Sequence, residues 1–365
     1  MRMNFLGSSG LKVSALSFGT MTFGGTDPYF GKIGVQELSE ATDLTHAAID
    51  YGVNLFDTAD FYSSGQSEET LGQALGGRRS EVLVATKLRY PMGSGPNDGG
   101  LSRHHIIQAC EASLRRLGSE HIDILYLHNI DPATPLEETM RALDDLVRAG
   151  KVRYLGLSNF PAWMVTKAAG ISAARGWERF VCHEVHYSLA SRDIETDLVP
   201  SALDAGVGHT VWSPLSGGLL SGKFRRDEQS PDNTRRSRGF GDTVPANDDA
   251  IFDIVDVATD IATDRGCSVA QVALNWVVSR PSVSSVIVGA RTKEQLLDNL
   301  GAVSWELTAE EVARLDAVSE PKLAYPHWHN RIHTQDRLRG ADGRVLAGKE
   351  SPGRRAQRLA AQAIQ

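Results

Sequence analysis

The feature that most limits how this chain can fold is its rhythm. Short apolar runs rich in β-branched residues alternate with amphipathic stretches of helical length from near the start almost to the end. The runs lie at 16–18, 53–57, 82–87, 122–128, 154–158, 180–187, 209–213 and 283–288. Helical periodicity marks 36–51, 103–117, 136–148 and 163–175, and Gly52, Gly118 and Gly150 follow three of these as stop signals. Strands that alternate with helices form a parallel sheet with the helices outside. About eight such units close on themselves, so the expected fold class is α/β, a (β/α)8 TIM barrel. The 365 residues would accommodate two average domains, yet one barrel with insertions fills the same length. The expected division is a barrel over 1–320 and a C-terminal extension over 321–365.

Composition narrows the partners. Hydrophobic residues make up 41% of the chain and charged residues 23%, enough apolar material for a large core. The 38 basic and 45 acidic side chains give a formal net charge of -7, which argues against nucleic acid as a partner. Cys110, Cys182 and Cys267 are scattered and odd in number, which suits neither a disulfide framework nor a zinc ribbon and fits a reducing compartment. Residues 1–10 lack the apolar stretch of a secretory signal, and no run reaches the roughly 20 apolar residues of a membrane span. The expected location is the cytoplasm, without a membrane partner.

In a barrel the ends of the strands converge on one mouth. Asp57, Lys87 and His128 each end a different predicted strand, and Tyr62 follows Asp57 closely. Taken singly, Asp57 reads as a helix cap, Lys87 as a solvated charge, His128 as a core histidine and Tyr62 as a packed aromatic. Brought together, a carboxylate, an ammonium, an imidazole and a phenol suit proton transfer to or from a carbonyl oxygen. Two segments break the rhythm, 88–102 and 224–247, after the third and seventh strands. Loops there would overhang the mouth as substrate walls or serve as plain surface insertions.

These residues carry a family resemblance. Phe-Asp-Thr-Ala-Asp-Phe-Tyr at 56–62, Gly-Gln-Ser-Glu-Glu at 65–69, Ala-Thr-Lys at 85–87 and Tyr-Leu-His at 126–128 resemble the aldo-keto reductases. Gly-Leu-Ser-Asn-Phe at 156–160, Trp-Ser-Pro-Leu at 212–215, Gly-Ala-Arg at 289–291 and Glu-Gln-Leu at 294–296 continue the match in order, over about 3–320. The similarity is greatest to the branch holding bacterial aryl-alcohol dehydrogenase-like enzymes and potassium-channel β subunits. It implies hydride transfer from a reduced nicotinamide to an aldehyde or ketone, cyclic and sugar ketones included. Tyr62 would give the proton, Lys87 would stabilise the phenolate, Asp57 would orient Lys87, and His128 would position the carbonyl.

The resemblance also implies an extended cofactor across the mouth, consistent with the missing Gly-x-Gly-x-x-Gly after the first strand. Gly19, Thr20, Met21 and Asp57 would line it. Ser158 and Asn159 would hold the carboxamide and Trp212 would stack on the ring. Ser213, Pro214, Leu215, Gly217, Leu219 and Lys223 would embrace the pyrophosphate. Gly289, Ala290, Arg291, Gln295 and Asn299 would hold the adenosine end, where the Arg291 guanidinium suits a 2′-phosphate and favours NADPH over NADH. Glu184 departs from the family, standing where a Gln completes the carboxamide clamp. As an ionised group it would strengthen NADP+ relative to NADPH; alternatively it pairs with a neighbouring base or is protonated.

Two lookalikes are set aside. Gly217 and Gly222-Lys223 have P-loop spacing, but Phe224 stands where a magnesium-binding hydroxyl belongs. His183 and His186 are three apart on a predicted strand, so they face opposite sides and no metal site is expected. The stretch 325–329 resembles one near the substrate cleft in this branch, and 351–365 is expected to be mobile or to form an oligomer contact. A cofactor-binding regulatory subunit with slow turnover, similar to the channel β subunits, is the alternative function.

Overall fold

The computed structural model describes residues 1–25, 27, 29–33, 36–224, 226, 232 and 248–333. A hairpin of β1 (Met3–Phe5) and β2 (Lys12–Ser14) precedes eight strands: β3 (Leu16–Gly19), β4 (Leu55–Asp57), β5 (Leu83–Leu88), β6 (Ile122–Leu127), β7 (Val152–Ser158), β8 (Phe180–His186), β9 (Gly208–Trp212) and β10 (Val283–Val288). These eight close a barrel in the order β10-β3-β4-β5-β6-β7-β8-β9, and every pairing in it is parallel. The (β/α)8 TIM barrel is therefore the fold. Each expected run is one of its strands, with only the ends displaced.

The outer layer comprises α1 (Leu38–Asp50), α2 (Gln66–Leu75), α3 (Arg103–Leu117), α4 (Leu136–Arg148), α5 (Ala162–Arg175), α6 (Leu198–Ala205), α7 (Asp248–Arg265), α8 (Val269–Val278), α9 (Lys293–Gly301) and α10 (Ala309–Val318), with α11 (His327–His333) beyond it. The ends of the helices follow local chemistry. Ser102 caps α3 by accepting from the His105 amide, and Gly118 ends it in the left-handed conformation. Thr308 and Glu311 form a reciprocal capping box on α10. The hairpin escapes the sequence reading because three-residue strands carry too little periodicity. It seats Leu6 and Val13 among buried residues of the barrel interior.

Side chains alternate across a strand, so parity decides which ones enter the barrel. Leu55, Ala85, Ile124, Tyr126 and Cys182 form the interior cluster, whereas Phe56, Val84, Leu125 and Leu157 pack outward beneath the helices. Asp57, Lys87, His128, Ser158, Glu184 and Trp212 share the inward parity. The ring of Tyr126 crosses the interior, with its hydroxyl 3.0 Å from Thr210 Oγ1 and 3.3 Å from Cys182 Sγ. Gly156 makes this possible, since a Cβ there would come within 2.4 Å of the Tyr126 ring and 2.9 Å of Cys182 Sγ. Outside the barrel, His183 and His209 stand side by side in register, ring centroids 5.8 Å apart and both fully buried. The Phe160 amide donates to His183 Nε2 at 3.2 Å, and His209 Nδ1 lies 2.9 Å from Ser282 Oγ.

Two expectations follow. Gly156→Ala should destabilise the fold by about 1–3 kcal/mol through overpacking, read from urea denaturation. Burial holds His183 neutral well below the usual imidazole range and pushes His209 down to about 4 from 6.5. The unfolded chain then binds the extra proton between these values, so the His209 contribution is present above pH 6.5 and lost as the pH falls towards 4. A loss of about 3 kcal/mol follows at about 1.4 kcal/mol per pH unit. Urea midpoints measured between pH 7 and pH 4 should show this loss, with the slope reduced in His209→Asn.

Candidate active site

The barrel mouth collects polar side chains from the ends of neighbouring strands. Register sets Asp57 beside Ala85, Lys87 beside Tyr126 and Ser158 beside Glu184. Lys87 is fully buried, with its Nζ 2.5 Å from Asp57 Oδ2, 2.9 Å from the Thr58 carbonyl oxygen, 3.4 Å from Glu184 Oε2 and 3.5 Å from the Tyr62 hydroxyl. Burial alone would lower the ammonium pKa, but the adjacent Asp57 and Glu184 carboxyls outweigh it and hold Lys87 charged.

Tyr62 is acted on by the same groups. Burial raises its pKa above the ordinary phenol value, Lys87 works against that, and Asp57 and Glu184 reinforce it. The resting group is a phenol able to donate. His128 is held neutral, its pKa driven well below the usual range by burial and then by Lys87 and Arg89. Its ring meets Tyr62 edge to face at 5.8 Å, and its Nδ1 is buried without a hydrogen-bond partner among the described residues.

The loop after β4 holds Tyr62 at a cost in backbone conformation. Ser63 and Ser64 adopt φ of 49° and 55°, and Asn159, Ser213 and Ser216 also lie in the left-handed region. All five follow barrel strands, so the strain gathers on the mouth. Thr20 ties β3 to β4 there, its amide and hydroxyl donating to the Asp57 carbonyl at 2.8 and 3.1 Å. Gly19 passes so close to β10 that a Cβ would come within 2.7 Å of Ile287 Cγ2, and Met21 is half-buried beside it.

Asn159 donates to Ser158 Oγ and to the His128 carbonyl, both at 3.0 Å, and accepts from Trp212 Nε1 at 3.2 Å. Trp212 stacks on His186 with centroids 4.5 Å apart. Beyond it, Pro214 and Leu219 are buried, Leu215 is half-buried, and positive φ recurs at Ser213, Ser216, Gly217 and Gly218. Such left-handed turns expose successive amides to anions, and a Cβ on Gly217 would enter open space. Lys223 is exposed at the end of this segment. After β10, Arg291 is exposed and its amide donates to Gln295 Oε1 at 3.1 Å, while Asn299 is buried. Gly289 is exposed and Ala290 buried. These residues fit an extended polyanionic cofactor.

Several contributors escaped sequence reading. Phe30, Phe61 and Tyr90 build an aromatic wall, Phe61 against Tyr90 at 4.9 Å and Tyr90 against His128 at 4.9 Å. Tyr90 lies in the expected wall 88–102, although nothing in its spacing singles it out. Gln36 bridges the first and last loops, its Nε2 donating to the carbonyls of Ala290 and Arg291 at 3.2 Å. Glu184 turns towards Lys87, the neighbouring base foreseen as its alternative partner. Most of 224–247 and all of 334–365 lie outside the described residues. His327 Nε2 lies 3.3 Å from Asp197, which joins α11 to the start of α6. Among the described residues no His, Cys, Asp and Glu cluster could hold a metal, and no helix is long and apolar enough to cross a membrane.

Comparison with known proteins agrees with this geometry. The family model described as the Aldo/keto reductase family matches residues 15–320. A probable voltage-gated potassium channel subunit beta of Arabidopsis thaliana is 37% identical over 311 residues, covering 83% of this chain and 91% of that protein. The versiconal hemiacetal acetate reductase of Aspergillus parasiticus is 36% identical over 345 residues, covering 88% and 98%. An uncharacterized oxidoreductase of Bacillus subtilis is 36% identical over 330 residues, covering 87% and 96%. With the family model and these relatives spanning the barrel and its mouth, the chain belongs to the Aldo/keto reductase family.

Proposed function

We propose that this protein is an NADPH-dependent reductase of aldehydes or ketones, cyclic and sugar ketones included, acting on small molecules in the cytoplasm with Tyr62 as proton donor. The observation that carries the reading is the Tyr62 hydroxyl 3.5 Å from a fully buried, carboxyl-paired Lys87 at the barrel mouth. NADPH, when bound, supplies the hydride. Ser158 and Asn159 would hold its carboxamide, with Glu184 beneath them, and Trp212 would stack on the ring. Ser213 to Lys223 would take the pyrophosphate, and Gly289 to Arg291, Gln295 and Asn299 the adenosine end. Gly19, Thr20, Met21 and Asp57 line the intervening floor.

The chain's own part is proton management. Tyr62 enters as a neutral phenol and gives its proton to the substrate oxygen, and the phenolate left behind is stabilised by the Lys87 ammonium. Asp57 keeps that ammonium charged and aimed. His128 is neutral, so it can orient the carbonyl by a hydrogen bond without competing as an acid. The aromatic wall of Phe30, Phe61 and Tyr90 suits an apolar or ring-shaped substrate flank.

Identity to channel β subunits favours a second reading, a cofactor-binding regulatory subunit with slow turnover. One assay separates the two. With NADPH and a panel of aldehydes and cyclic ketones, the reductase should show turnover that drops roughly 10²- to 10⁴-fold in Tyr62→Phe. Binding without turnover on any panel member, with a partner co-purifying, would favour the regulatory reading. Arg291→Ala should raise the Kd for NADPH by about 10- to 100-fold through a lost charge-assisted contact and leave NADH nearly unaffected. Equal weakening of both in fluorescence titrations would remove the 2′-phosphate contact.

A further inference from the structure

Asp57 and Glu184 are two buried carboxyls that share one cation, the Lys87 Nζ lying 2.5 Å from Asp57 Oδ2 and 3.4 Å from Glu184 Oε2. Asp57 Oδ1 and Glu184 Oε2 are fully enclosed, and neither makes a well-aligned hydrogen bond among the described residues, Glu184 Oε2 having only the ion-pair contact with Lys87 Nζ at 3.4 Å. The groups around Glu184 are Asp57 from β4, Tyr62 from the loop after it, Lys87 from β5, Tyr126 from β6 and Cys182 on its own strand. Ser158 and Thr210, its register partners on β7 and β9, do not titrate. Lys87 is therefore the only cation of this set. Two ionised carboxyls would leave a net buried negative charge and enclosed oxygens short of hydrogen-bond donors, whereas one shared proton relieves both penalties. Burial and the Asp57 charge push the Glu184 pKa well above the usual carboxylate range, in the same sense.

We infer that Glu184 and Asp57 together hold one proton in the resting protein and that this proton, passed through Lys87, restores Tyr62 after each turnover. The inference rests on the reading of Tyr62 as proton donor. Once Tyr62 has become a phenolate, Lys87 gives it a proton, an N–H bond breaking as the O–H bond forms. The carboxyl pair then returns its proton to the Lys87 nitrogen, leaving both carboxyls ionised around a restored ammonium. A proton from water recharges the pair. The relay as a whole carries a proton from a carboxyl, where it is held less strongly, to the Tyr62 phenolate, which burial makes the stronger base, with the Lys87 ammonium as the carrier between them. A proton-bearing carboxyl also offers one O–H donor and one carbonyl acceptor, much as an amide does. Glu184 in this state would not give the preference for NADP+ expected of an ionised side chain.

Infrared spectroscopy of the cofactor-free protein at pH 7 tests the proton directly. Wild type minus Glu184→Gln should contain the carbonyl stretch of a protonated carboxylic acid that shifts in D2O. Asp60 is also buried, with its pKa raised by burial and by Glu68, and its band should cancel in the subtraction. Absence of the difference band, with Glu184→Gln folded by circular dichroism, would overturn the shared proton. The relay is tested by stopped flow with NADPH and an active carbonyl. In Glu184→Gln the steady-state rate should fall by roughly a hundredfold, more than the first turnover, and recover with imidazole buffer. Glu184→Asp should recover part of the loss and keep an infrared band if Glu184→Gln proves unstable. A steady-state rate unchanged in Glu184→Gln, or one that imidazole does not restore, would overturn the relay. Failure of wild type on the whole carbonyl panel would instead refute the reductase reading, and the infrared result would still decide the proton.

Discussion

The ammonium of Lys87 is the point on which the mouth of the barrel is organised. A fully buried cation is costly by several kcal/mol unless charge and hydrogen bonds replace its water. Here the replacement comes from different elements: Asp57 from β4, the Thr58 carbonyl from the loop after it, Glu184 from β8 and the hydroxyl oxygen of Tyr62. None of these groups is near Lys87 in the chain. Closure of the barrel is what brings them together, and loss of Lys87 would leave the carboxyls around it without a counter-charge. Lys87 thus links the fold to the chemistry.

Below Lys87 the interior is filled rather than hollow. Tyr126 spans it, held by Thr210 and Cys182 and admitted by the absent side chain at Gly156. Lys87 Nζ lies 5.9 Å from the Tyr126 ring centroid, so the ammonium rests above an aromatic surface that excludes water. The left-handed residues of the mouth loops sit on this rigid base. Strained backbone persists where packing over-determines it, and eight closed strands provide that support to Ser63, Ser64, Asn159, Ser213 and Ser216.

Sequence reading recovered all eight strands because each is a short apolar run between turn or helix signals. Asp57, Lys87 and His128 end such runs, and in the fold strand parity sets them on the inner face together with Ser158, Glu184 and Trp212. What escaped it has physical causes. Phe30, Phe61 and Tyr90 belong to loops, where no period links position to neighbour, and only folding brings Tyr90 against His128. Gln36 looks like an ordinary polar residue before a helix, although it ties the first loop to the last. The direction of the Tyr62 shift was also hidden, because it depends on how burial and two carboxyls weigh against one ammonium.

The sequence by itself determined the barrel, since strand and helix periods are local properties that a single chain displays in order. It also determined which chemical groups reach the mouth, because strand ends and inward parity follow from counting residues. Only the tertiary structure decided how those groups share charge. Glu184 reads from sequence as an isolated departure from a family pattern, yet in the fold it faces Asp57 across Lys87 with no other cation among the groups around it. Protonation depends on distance and burial in three dimensions, and neither is written in the spacing of residues along the chain.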